Sequence, residues 1–162
     1  MIKLTTPISK EDILNLKVGD RVLISGDIFC GRDAVLPKIV KGEADINLEG
    51  GVVFHTAVSP AGVGPTSSNK LEIEGSMEPL SKMGIRLHLG KGAISAETIE
   101  ALNEHCSVFA VMPPVTALLE DKTISKELVA FPELGMEALY KLKVDGYPAI
   151  IAAAHGRSIY DR

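Results

Sequence analysis

The chain has 162 residues, enough for one unit with a sizeable core, and its 46% apolar and 23% charged residues exclude a disordered or fibrous protein. A formal charge of −4, no Trp, and Lys and Arg scattered rather than striped with aromatics set nucleic acid aside as a partner. No apolar run approaches the roughly 18 residues of a bilayer span, and the segment 1–7 lacks the apolar stretch and cleavage site of a leader, so no membrane partner and a cytoplasmic location are expected.

Along the chain, Ser9 is placed to cap a helical turn over 9–16 with Ile13 and Leu16 turned inward, ending where Gly19-Asp20 forces a turn. Arg21 to Gly26 and Asp27 to Cys30 are β-rich extended pieces, and Gly26 between them marks a bulge or a close backbone approach. After Gly31-Arg32-Asp33, the stretch Ala34 to Val40 is helical provided that Pro37 falls in its first turn. Gly50 to Val58 is expected as a strand and Ser59 to Lys70, dense in Gly, Pro, Ser and Thr, as a functional loop. A helix over 77–83, a strand over 85–89, the turn Gly90-Lys91-Gly92 and a helix over 96–105 capped by Ser95 follow. Val108 to Met112 is a buried strand, 115–120 a short helix, 127–131 extended and 134–139 a helical turn, with further strands over 140–144 and 149–154. This alternation predicts an α/β or mixed α+β layered fold. With no repeat, low-complexity tract or linker, residues 1–162 are expected to form a single domain.

Functional groups in such folds gather where strands end, and three loops stand out. In Cys30-Gly31-Arg32-Asp33 an arginine directly follows a strand and a glycine, where its fork suits a carboxylate; the plainer alternative pairs Arg32 with Asp33 or makes it the cap of a surface turn. In Gly64-Pro65-Thr66-Ser67-Ser68-Asn69-Lys70 the backbone, three hydroxyls and a terminal cation suit an anion, although the same composition serves a plain turn or cap, and the order does not match the GxxxxGK[ST] phosphate loop. In Gly90-Lys91-Gly92 the flanking glycines let an ammonium approach a ligand, the alternative being a solvated turn lysine. Two cysteines, Cys30 and Cys106, stand apart in apolar neighbourhoods and are expected as buried thiols. His55, His88, His105 and His155 lack metal-ligand spacing and are expected to be structural, so no metal is assigned to the chain.

These three loops in this order resemble the β subunit, or equivalently the C-terminal domain, of class I iron–sulfur fumarate hydratases and L(+)-tartrate dehydratases. The resemblance runs from about Val18 to Asp161. It rests on Gly19-Asp20-Arg21-Val22-Leu23-Ile24-Ser25-Gly26, Gly31-Arg32-Asp33-Ala34, Gly64-Pro65-Thr66-Ser67-Ser68, Gly90-Lys91-Gly92 and Leu134-Gly135-Met136-Glu137-Ala138. It implies a swivelling β/β/α domain and a hetero-oligomer in which a separate α subunit carries a [4Fe–4S] cluster, with no cofactor held by this chain. The implied reaction is reversible hydration of fumarate to malate, with L(+)-tartrate dehydration or a non-catalytic assembly role as the alternatives. Loss of water from a 2-hydroxy diacid needs a Lewis acid, a base for the adjacent C–H and cations for two carboxylates. By resemblance the cluster supplies the Lewis acid, Arg32, Lys91, Lys70 and Ser67 bind the dicarboxylate substrate, and Thr66 is the catalytic hydroxyl that moves the C–H proton. An unassisted threonine hydroxyl is a very poor base, so that role requires polarisation by other groups. The chain departs from the family's usual GPTTSxR at Ser67 and Lys70, from RDAAHKR at Leu36 and Pro37, and from a glycine pair at Pro113-Pro114. Lysine keeps the charge but loses the planar fork, which leaves the diacid open.

Overall fold

The computed structural model describes residues 1–32, 34–59, 62–66, 70–112, 119 and 121–160, and for residues 57, 59, 62–66 and 70–73 the backbone alone. In chain order the elements are β1 (Ile2–Thr5), α1 (Lys10–Leu14), β2 (Arg21–Cys30), α2 (Leu36–Val40), β3 (Val52–Phe54), β4 (Thr56–Ser59), β5 (Gly62–Thr66) and α3 (Lys70–Lys82). There follow β6 (Leu87–Gly90), α4 (Ala96–Glu104), β7 (Val108–Val111), β8 (Thr123–Ala130), a 3-10 helix (Pro132–Glu137), β9 (Leu139–Ala154) and β10 (Arg157–Ser158).

The expected α/β architecture is present, and its sheet closes on itself. Strands β2, β3, β6 and β7 run parallel side by side. The long β9 then runs antiparallel to β7 and also to β2, which joins the two edges of that array. Parallel β1 and antiparallel β8 and β10 extend the sheet beyond the closed part. Side-chain alternation assigns the layers. Ile28, Cys30, Phe54, Leu87, Leu89, Leu142, Val144 and Ile151 fill the inside, where Phe54 meets Tyr147 edge to face at 6.5 Å. Residues of opposite parity, such as Val53 and Phe109, face outward into two further clusters. Val53 packs with Val35, Leu36, Ile39 and Leu80 beneath α2 and α3. Phe109 packs with Met77, Ile99 and Leu102 beneath α3 and α4. Being covered on both faces, the central strands are apolar almost throughout, as in Val52-Val53-Phe54.

Local chemistry accounts for the boundaries. Ser9 and Ser95 cap α1 and α4 by accepting hydrogen bonds from the N–H groups of Asp12 and Thr98, and Pro37 lies in the first turn of α2, as the sequence predicts. At Gly26 both alternatives hold at once. The β2–β9 register shifts there, and the backbone adopts φ +103° so close to Thr6 that an added Cβ would lie 2.3 Å from Thr6 Oγ1.

Elsewhere the structure differs from the sequence expectation. The strand over 50–58 breaks at His55, because β4 leaves the sheet to form a hairpin with β5, pairing Thr56 with Thr66 and Ser59 with Gly62. That hairpin occupies part of the segment expected as a loop. Helix α3 begins at Lys70 rather than 77 and carries Pro79 internally, held by burial of Met77 and Leu80. The two strands expected over 140–154 are one strand, which passes through Gly146 at φ +76° and Pro148 without ending. The short helix expected over 115–120, Pro113-Pro114 and Asp33 lie wholly or mostly outside the described residues.

Candidate active site

Sheet register places three of the selected segments together. Cys30, Phe54 and Leu89 form one row across β2, β3 and β6. Each strand leaves the sheet at this end: Gly31 N–H donates to Phe54 O at 3.1 Å and His55 N–H to Leu89 O at 3.0 Å. Arg32, Thr56 and Lys91 each follow that row by two residues, Arg32 and Lys91 beyond the ends of β2 and β6 and Thr56 at the start of β4. Parallel strands with aligned carboxyl ends thus bring to one end of the sheet residues separated by 59 positions in sequence.

Arg32 is half-buried and held. Its Nε donates to Glu137 Oε2 at 3.4 Å and its Nη2 to Glu137 Oε1, so the carboxylate grips one edge of the guanidinium. The alternative pairing with Asp33 lies outside the described residues; Glu137, a carboxylate that holds Arg32, comes from the 3-10 helix before β9. Glu137 has no assigned role in the sequence analysis, although the segment Leu134-Gly135-Met136-Glu137-Ala138 carries part of the resemblance, and that recurrence is the signal that points to it. Lys91 is exposed on a bend that Gly92 completes at φ +75°, a conformation that costs glycine little. Thr66 ends β5 directly across from Thr56 at the base of the hairpin. Lys70 is the first residue of α3, and Ser67 lies outside the described residues.

Two histidines that the sequence marks as structural meet beneath this end of the sheet. His55 and His88 are fully buried on the outward face of β3 and β6, with His55 Nε2 3.1 Å from His88 Nδ1 and His88 Nε2 2.9 Å from Ser81 Oγ of α3. Burial pulls the His55 pKa down to about 4. Burial, together with the neighbouring His55, holds His88 well below the ordinary histidine value. Both imidazoles are neutral at pH 7. His55 Nδ1 has no hydrogen-bond partner among the described residues.

The chain's own residues do not fit an iron–sulfur group. Cys30 is fully buried inside the closed sheet and burial pushes its thiol well up, which keeps it a thiol rather than a thiolate ligand. Cys106 is far off at the end of α4, its Sγ against Lys10 O. Among the described residues one group could approach a cation. Glu78 of α3, Glu104 of α4 and His105 at the end of α4 bring ligand atoms within 4.8 Å of one another, with His105 Nε2 4.0 Å from Glu78 Oε2. An apolar hollow of about 270 Å³ lined by Met1, Val22, Val111, Met112 and Ile150 includes none of the selected site residues.

Comparison with known proteins agrees with the resemblance. The model of the family described as Fumarase C-terminus matches residues 1–162. A Geobacillus stearothermophilus protein described as a class I fumarate hydratase is 31% identical over 175 residues, covering 99% of this chain and 34% of that protein. The L(+)-tartrate dehydratase subunit beta of Escherichia coli K12 is 28% identical over 171 residues, covering 96% of this chain and 85% of the subunit. A Methanocaldococcus jannaschii protein described as an L(+)-tartrate dehydratase subunit beta is 27% identical over 173 residues, covering 95% and 88%. The chain therefore spans about a third of the fumarate hydratase relative and most of the tartrate dehydratase subunits. No helix among the described residues is long and apolar enough to cross a membrane.

Proposed function

The chain belongs to the fumarase C-terminus family, and from that premise we propose that it is the dicarboxylate-binding β subunit of a hydro-lyase that interconverts fumarate and malate. The active site is completed by an α subunit, and an iron–sulfur cluster, if the assembled enzyme uses one, resides on that subunit. The observation that supports this reading is the row of strand ends: Arg32 and Lys91 each follow by two residues a position in one register row across β2, β3 and β6. Two cations on opposite sides of a planar dianion fix its orientation as well as its charge. Arg32, already oriented by Glu137, takes one carboxylate by its fork, and Lys91 reaches in from a mobile-stemmed ammonium. Lys70 and Ser67 contribute to binding of the diacid, and Thr66 supplies the hydroxyl that exchanges the C–H proton. All of this chain's contribution is thus to bind, orient and move a proton; the C–O bond is cleaved or formed on the partner's side of the substrate.

L(+)-tartrate is the second substrate reading. It is favoured by the relatives named as tartrate dehydratase β subunits, which match over nearly their whole length, and by Lys70 standing where an arginine is usual. The test is co-production with the α subunit under anaerobic conditions, followed by assay of fumarate through loss of its conjugated absorbance and of L(+)-tartrate through keto acid formation. Malate formation that requires both chains is the expected result. Arg32→Ala and Lys91→Ala should each lower kcat/KM by on the order of 2–5 kcal/mol of transition-state stabilisation, the range for stripping one side of a charge pair. Wild-type kinetics in both variants would overturn the clamp, and turnover of tartrate in place of fumarate would move the substrate.

A further inference from the structure

A site shared between two chains requires that the chains recognise and hold each other, and the fold leaves an apolar surface open where its sheet closes. Ile150 of β9 is the register partner both of Arg21 at the start of β2 and of Val111 at the end of β7. Beside this seam lies the hollow of about 270 Å³, walled by Val22, Val111, Met112, Ala149 and Ile150. Val22 and Ala149 belong to the inner core and Met112 packs against it, so the hollow opens onto core surface. Ile150 is 37% exposed in spite of its two strand pairings. Apolar cavities stay dry, and one of about 150 Å³ takes up benzene. This larger hollow admits a whole leucine- or phenylalanine-sized side chain.

The lining also sets the chemistry of the occupant. Arg21 supplies the one charged side chain of the hollow among the described residues. It is exposed and makes no hydrogen bond or ion pair among them. A large apolar side chain with a carboxylate beside it would fill the hollow and pair with the guanidinium at the same time. Position then selects the partner. Met112 N–H donates to Gly90 O at 3.1 Å, so the wall of the hollow stands one strand over from the end of β6 that leads into Lys91. A protein that completes the site over Lys91 reaches the hollow by continuing across one strand spacing, about 5 Å. A second copy of this chain fits less well, because an isologous contact centred on the hollow sets Arg21 against its own copy.

We propose that this hollow is a docking site for the α subunit, which inserts one large apolar side chain between Val22, Met112 and Ile150 and sets a neighbouring carboxylate on Arg21. The proposal rests on the two-subunit reading above. It adds the surface by which the subunits recognise each other, and it gives a reason for core surface left open at the seam: a desolvated apolar pocket with a charge beside it is the anatomy of an interface hot spot.

The test reads association rather than turnover, by dissociation of the assembled complex on dilution in the analytical ultracentrifuge. Ile150→Asn is expected to raise the Kd between the subunits by about thirtyfold, the loss that defines a hot-spot residue. Arg21→Gln is expected to raise it by about tenfold and to remove part of its salt dependence. Leu14→Asn, at an exposed apolar residue of α1, is the control and leaves the Kd unchanged. A further readout needs no substitution: the methyl resonance of Met112 in the labelled chain shifts on assembly. Wild-type Kd in both hollow variants, an unmoved Met112 methyl, or failure of the wild-type chains to associate overturns the proposal. A homodimer of this chain that Ile150→Asn dissociates also overturns it, by giving the hollow to a second copy. So does hexanoate that binds the assembled complex as tightly as the chain alone, by leaving the hollow open to a free ligand. An assembled enzyme that shows the expected binding losses and turns over neither diacid defeats the hydro-lyase reading and leaves the docking site standing.

Discussion

At Arg32 a binding group and its support come from opposite ends of the sequence. The guanidinium is fixed by Glu137, 105 positions away, and the two side chains are 29% and 30% exposed. That exposure limits the pair's contribution to stability to about 1 kcal/mol, so its principal effect is on orientation. Glu137→Ala is expected to leave the urea midpoint nearly unchanged while raising KM for the diacid by about tenfold, because an unheld guanidinium must be ordered by the substrate itself. Unaltered KM in that variant would show that Arg32 needs no support. This division also shows what was legible. Arg32 and Lys91 stand out in sequence because each follows a strand with a glycine beside it. Glu137, His55 and His88 give no such signal. Their partners lie 105 and 33 positions off, and only the pairing of strands brings them together.

At the level of elements, local chemistry was readable wherever one residue decides the backbone. Ser9, Ser95, Pro37 and Gly26 each do what their side chains dictate. Gly26→Ala tests the most demanding of these. A Cβ at φ +103° and 2.3 Å from Thr6 Oγ1 strains both the backbone and the neighbouring strand end, at a cost of about 2 kcal/mol, which should lower Tm by roughly 4–8 °C for a chain of this size. A smaller shift would mean that β1 moves aside without penalty. What was not readable is where tertiary pairing overrides local preference. Gly62-Val63-Gly64-Pro65-Thr66 has the composition of a loop, yet pairing with β4 makes it a strand. Asp145-Gly146-Tyr147-Pro148 has the composition of a turn, yet β9 passes through it. There Gly146 N–H donates to Ser25 Oγ at 3.0 Å and Asp145 N–H to Lys122 O at 2.8 Å, replacing the ladder bonds that the irregularity removes.

For the whole molecule, the buried pair of histidines links stability to pH. Unfolded, both imidazoles take up protons near pH 6.5; folded, His55 does so only at about 4 and His88 also well below its ordinary value. The unfolded state therefore binds more protons across this window. Stability is complete above about pH 6.5 and falls as pH drops toward 4, by on the order of 3 kcal/mol from His55 alone, with His88 acting in the same direction. Urea unfolding at pH 7.5 and pH 5 should show the lower midpoint at pH 5, and the difference should shrink in His55→Gln. An equal pH dependence in the variant would locate the acid sensitivity elsewhere. The closure of the sheet was likewise outside the reach of sequence, since it depends on one strand satisfying two distant edges. That same strand, β9, is the one that covers both the outward edge of β2 and that of β7 among the described residues. Undocking it would therefore bare two strand edges at once, so a substitution that loosens β9 exposes the protein to edge-to-edge aggregation at two places rather than one.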